Sequence, residues 1–182
     1  MSSAGPAPIQ DGLLYDEDLA ARVGVLSSLG PVTMTESEIR AFAQRWDPLP
    51  IHVGDGGPFG GVIASGLHTF AMFQRLAVDA AYSSWAVVAG RAIREMVLPR
   101  PVFPGDVLTG WVRVNGACPP RNGMAKLEVE GRLENQHGKT VLTLRLESYV
   151  STARASRHRW SSLQPSGSGG STCGQATGDD HG

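Results

Sequence analysis

Apolar and polar residues alternate without a break from residue 124 to 134. Ala125, Leu127, Val129 and Leu133 fall on one face, with Lys126, Glu128, Glu130, Arg132 and Glu134 on the other. A period of two predicts a half-buried antiparallel strand. Residues 139–150 repeat the pattern with Leu142, Leu144 and Leu146, and residues 107–117 are rich in Val, Thr and Trp, as strands are. Residues 84–98 predict another strand, with Gly90 placed for a bulge. Residues 119–123 (PPRNG) and 135–138 (NQHG) read as hairpin links. The segment from Pro99 to Asp106 contains three prolines and must be a rigid connection.

The first half has a different period. Thr35 and Glu38 fit a capping box, and Ile39, Phe42, Ala43 and Trp46 follow at helical spacing. Pro48 ends that helix, so Asp47 stands at the junction of helix and loop. A second helix is predicted over residues 62–81, where thirteen of twenty residues are apolar and lie nearly all round it, so it is mostly buried. Residues 26–34 suggest a short first strand. One buried helix and a run of antiparallel strands predict an α+β domain with the sheet wrapped around the helix. The expected organisation is a flexible stretch over 1–12, a single domain over 13–152, and a Ser/Gly-rich disordered tail over 153–182.

Composition narrows the function by exclusion. Sixteen basic and seventeen acidic residues give a net charge of -1, so there is no electrostatic case for nucleic acid or an acidic membrane surface. No stretch is long and charge-free enough to span a bilayer, and residues 1–10 lack the basic start and apolar run of a signal peptide, so the expected location is the cytoplasm. Cys118 and Cys173 have no CxxC spacing and make neither a disulfide framework nor a zinc knuckle.

The chemistry is concentrated in Asp47 to Phe73, DPLPIHVGDGGPFGGVIASGLHTFAMF. Asp47 and His52 are five residues apart and braced by Pro48 and Pro50. Such a pair can hold one water and act as acid and base. Taken singly, Asp47 reads better as a turn residue and His52 as a loop histidine hydrogen-bonded to a carbonyl; the pair at this spacing, followed by FGGVIASG, favours catalysis. Gly66 falls in the first turn of the long helix, where amides lack partners and the dipole favours negative charge. Ser65 offers a hydroxyl to the same place, or simply small size. His68 suits packing better than ligand contact. A Ser65–His52–Asp47 triad lacks the GxSxG elbow. A metal site from Asp47, His52, Asp55 and His68 has no recognised ligand spacing, and the glycines at 54–61 lack the lysine of a phosphate loop. Arg91, Arg94 and Arg100 suit either a phosphate or solvent.

Three segments in order resemble the MaoC-like dehydratases, the family of the R-specific enoyl-CoA hydratases. Asp47-Pro48-Leu49-Pro50-Ile51-His52 matches its D-x-N-P-x-H motif, Phe59 to Gly66 (FGGVIASG) its turn and helix start, and Pro101 to Asp106 (PVFPGD) its Pro-Val-x-Pro-Gly-Asp segment. The resemblance implies a hotdog fold, with Asp47 and His52 catalytic and Ser65 and Gly66 binding substrate. In particular, it makes the Gly66 N–H the donor to a thioester oxygen. It implies a hydro-lyase acting on a 2-enoyl thioester, of CoA or of an acyl carrier, with no cofactor or metal, and a homodimer paired edge to edge. Leu49 departs from the family's usual Asn. A hotdog acyl-CoA thioesterase and a non-catalytic acyl-binding subunit are the alternatives.

Overall fold

The computed structural model describes residues 12–54 and 57–152. The expected extensions, residues 1–11 and 153–182, lie outside that range, as do Asp55 and Cys173. Five antiparallel strands form one sheet: β1 (Leu26–Thr33), β2 (Val87–Val97), β3 (Val107–Ala117), β4 (Met124–Glu134) and β5 (Thr140–Ser151), in the order β1-β3-β4-β5-β2. Among the described residues four α-helices accompany them, α1 (Asp16–Ala20), α2 (Glu36–Trp46), α3 (Pro50–Val53) and α4 (Gly66–Ala80), with two short 3-10 turns at Gly57–Phe59 and Tyr82–Ser84. The class is α+β, as the periodicities predict.

The strands form where alternation is strongest. In β4, Ala125, Leu127, Val129 and Leu133 are all buried while their alternates are half-buried, so one face meets the core. From α4, Phe73, Leu76 and Ala77 pack into the same core as Leu108, Val112, Leu142 and Leu144. Gly131 makes this possible: a β-carbon there would lie 2.3 Å from the Phe73 ring. Phe73 is therefore seated against bare backbone in the middle of the sheet, which fixes the height of α4 above it. Register shifts at Gly90/Ala92 and at two other points bulge β2, as expected from Gly90.

Several boundaries differ from expectation. The long helix starts at Gly66, not at residue 62, and is not buried all round: Leu67, Arg75, Val78 and Asp79 are exposed. Ser65 caps it by accepting from the Leu67 N–H at 3.1 Å, and residues 62–65 run buried ahead of it. Trp46 is exposed, with the Arg45 guanidinium over its ring, whereas Ile39 and Ala43 are buried as predicted. Two short helices, α1 and α3, escape the sequence patterns because neither is long enough to show a period. No helix among the described residues is long and apolar enough to cross a membrane.

Candidate active site

The segment predicted as a stiff loop after Asp47 folds into a helical turn, and this sets the geometry. Asp47 is the C-cap of α2, its N–H donating to Ala43 O at 2.9 Å. Leu49 then begins α3 with Pro50 in its first turn, where a missing N–H costs nothing. The Arg40 guanidinium, from α2, donates to Val53 O at 2.5 Å and Gly54 O at 3.1 Å, tying the end of α3 to α2. Ile63 N–H donates to Ile51 O at 3.1 Å and ties the approach to α4 to the same turn.

The result brings Asp47 and His52 together. His52 Nε2 lies 3.5 Å from Asp47 Oδ2, with the imidazole 8% and the carboxylate 25% exposed. His52 Nδ1 is 2.9 Å from Ile63 O. A carbonyl can only accept, so Nδ1 carries a hydrogen and Nε2 is the atom turned to Asp47. With the ring neutral, Nε2 and Oδ2 are two acceptors facing each other across 3.5 Å. A water that donates one hydrogen to each satisfies both.

Ser65 has a different place from the one expected of a substrate-binding residue. Its residue is fully buried, and its hydroxyl donates to Asp47 Oδ2 at 2.6 Å while accepting from Leu67 N–H. The hydroxyl's one hydrogen is committed to Asp47 and one of its lone pairs to Leu67, the geometry of a group that orients the carboxylate. Gly66 is the first residue of α4, and its amide has no acceptor of its own within the described part of the fold. The space beside its α-carbon is not free: a β-carbon would lie 2.4 Å from Leu98 Cδ1. The glycine is thus required by the protein's own packing.

His68 faces away from this pair. It is 6% exposed and stacks on Phe42 of α2 at 4.5 Å between centroids, with Nδ1 buried and unpartnered among the described residues. Burial pushes its pKa below the usual histidine value, partly opposed by Glu38. Leu49 is 52% exposed and gives α3 no side-chain cap. Each candidate phosphate-binding arginine has a partner within the protein and keeps further N–H donors. Arg91 and Arg94 both pair with Glu147, and Arg100 donates to Thr140 O. Burial pushes the Glu147 carboxyl up, but hydrogen bonds from Arg94, Arg91 and Lys126 outweigh it and hold it at about 2. Among the described residues no three His, Cys, Asp or Glu side chains are placed to hold a metal.

No sequence pattern marks Ile63 or Leu98 as site residues. Ile63 acts through its backbone carbonyl, which side-chain identity does not reveal, and Leu98 reads only as the end of an apolar strand.

The MaoC like domain profile matches residues 25–137. A MaoC-like dehydratase from Rhodospirillum rubrum is 30% identical, with a TM-score of 0.67 over 76% of this chain and 97% of that one. The structure titled monoamine oxidase regulatory protein from Archaeoglobus fulgius is 23% identical, with a TM-score of 0.71 over 78% and 96%; at that identity the likeness is one of fold. Among curated proteins, the uncharacterized protein YdeM of Bacillus subtilis (strain 168) is 30% identical over 111 residues, 59% of this chain and 79% of that protein.

Proposed function

The chain belongs to the MaoC-like domain family and has its hotdog fold, and from that premise we propose that it is a hydro-lyase adding water reversibly across the double bond of a 2-enoyl thioester, most simply a CoA ester. The observation that carries this reading is the facing pair, Asp47 Oδ2 and His52 Nε2 at 3.5 Å, with the histidine tautomer set by Ile63 O. The likeness to the R. rubrum MaoC-like dehydratase supports it.

The water between the two acceptors is the nucleophile. As its oxygen bonds to C3, one of its protons passes to the pair. The C2–C3 π electrons move toward the carbonyl, and the enolate oxygen rests on the Gly66 N–H at the positive end of α4. C2 then takes a proton from the site, so one water is added and the pair returns to its starting state. Dehydration runs the same steps backwards. Ser65 and Ile63 hold the two groups in place, so little reorganisation is needed as charge develops.

The proposal seats the acyl chain in a cavity further along α4, which Asp47, His52 and Gly66 do not themselves line. Phe70 and Gln74 follow Gly66 at i+4 and i+8 on α4, and both line a cavity of about 440 Å³ against β2, together with Tyr82, Trp85, Ile93 and Leu146. The volume and apolar lining fit an acyl tail. β2 is an edge strand of eleven residues with Val87, Ile93 and Val97 exposed. Such an edge invites pairing, and a second copy joined there by β2 is the expected partner.

Incubation with but-2-enoyl-CoA tests the function. A hydratase removes the conjugated double bond without freeing thiol. Release of thiol would favour the thioesterase alternative, and no change in either would count against catalysis. Sedimentation at several concentrations tests the dimer; a monomer throughout would refute it.

A further inference from the structure

Leu98 stands over the amide that the thioester oxygen is proposed to use. A β-carbon added at Gly66 would lie 2.4 Å from Leu98 Cδ1 and 3.8 Å from Cγ. Covalent geometry separates a backbone nitrogen from its β-carbon by about 2.5 Å. The leucine methyl is therefore within roughly 5 Å of the Gly66 nitrogen. A carbonyl oxygen accepting from that N–H sits about 2.9 Å from it and so within about 8 Å of the methyl, close enough for a branch beside the carbonyl carbon to reach it.

The backbone on either side of Leu98 is tied down. Val97 pairs with Thr143 in the sheet, and Pro99 and Pro101 fix their φ angles. Arg100 donates to Thr140 O at 3.2 Å, and Val102 O accepts from Ala64 N–H at 2.8 Å. The side chain, 40% exposed, is the adjustable part. What it limits is bulk next to the carbonyl carbon. One neighbour of that carbon is the thioester sulfur and its arm, which CoA and carrier substrates share. The other is C2, where substrates differ.

We propose that Leu98 sets the substrate class at C2: the site accepts enoyl thioesters with hydrogen at C2 and turns away those branched there. The inference rests on the hydration reading for the placement of the carbonyl on Gly66, but its test includes binding without turnover. Affinities for butanoyl-CoA and 2-methylbutanoyl-CoA, which lack the double bond, are compared by titration calorimetry in the wild type, Leu98→Ala and Leu98→Met. Turnover of but-2-enoyl-CoA and 2-methylbut-2-enoyl-CoA is measured in parallel.

The wild type is expected to favour the unbranched member of each pair. Leu98→Ala is expected to narrow the preference about tenfold in both assays, since a buried methyl-sized conflict changes discrimination by about that factor. Leu98→Met, of similar volume, should keep most of it. A preference unchanged in Leu98→Ala overturns the assignment. If the wild type hydrates neither thioester while the binding preference still narrows, the subsite stands and the hydration reading falls. If neither saturated thioester binds, both fall.

Discussion

Replacing Ser65 by alanine removes one oxygen from a fully buried position and breaks two hydrogen bonds. The first is the helix cap on the Leu67 N–H, and loss of an N-cap costs about 1 kcal/mol. The second is the 2.6 Å bond to Asp47, and a hydrogen bond to a charged group contributes about 1.5–3 kcal/mol. The Asp47 side chain is 25% exposed, so water recovers part of that bond, and the lower end of the range applies. The expected destabilisation is therefore about 2–3 kcal/mol. Urea titration should show a lower midpoint with an unchanged slope. Kinetics separate the two roles for Ser65. If it orients Asp47, Ser65→Ala lowers kcat about 10- to 100-fold with little change in KM. A raised KM with unchanged kcat would mean that Ser65 contacts substrate instead. Destabilisation under about 0.5 kcal/mol with wild-type turnover would refute the account of both bonds.

Asp47→Asn and His52→Ala are each expected to lower turnover of an enoyl thioester by at least about 100-fold while the circular dichroism spectrum is kept; near-wild-type turnover in both would remove the pair from the mechanism. Leu49→Asn should supply α3 with the side-chain cap it lacks and raise stability by about 1 kcal/mol, visible as a higher melting temperature. His68 makes stability pH-dependent. Its pKa is lowered by burial in the folded state, so the unfolded chain takes up its proton first. Its contribution is complete above the unfolded value of about 6.5 and is lost as pH falls through the folded value. His68→Phe, which keeps the stack on Phe42, should lose less stability than the wild type between pH of about 7.5 and 5.5; equal losses in urea titrations would refute this.

Local periodicity is written in the chain, and it determined most of the fold. β3 and β4 have the predicted bounds because alternation and β-branched residues act over a few neighbours, and α2 begins at its predicted capping box. The position of Asp47 at a helix end was equally legible, since Pro48 alone forbids continuation. The order of motifs named the family for the same reason: motifs are local. Three features of the site were not legible. Ser65 meets Asp47 across 18 residues, His52 takes its hydrogen-bond partner from the backbone of Ile63, and Leu98 comes to Gly66 from the far end of an edge strand. A bond between distant residues depends on how helix and strand pack, and a backbone carbonyl carries no side-chain signature. The sequence thus determined which groups are available for chemistry. The packing of α3 and β2 around the start of α4 decided which way they point and what stands over them.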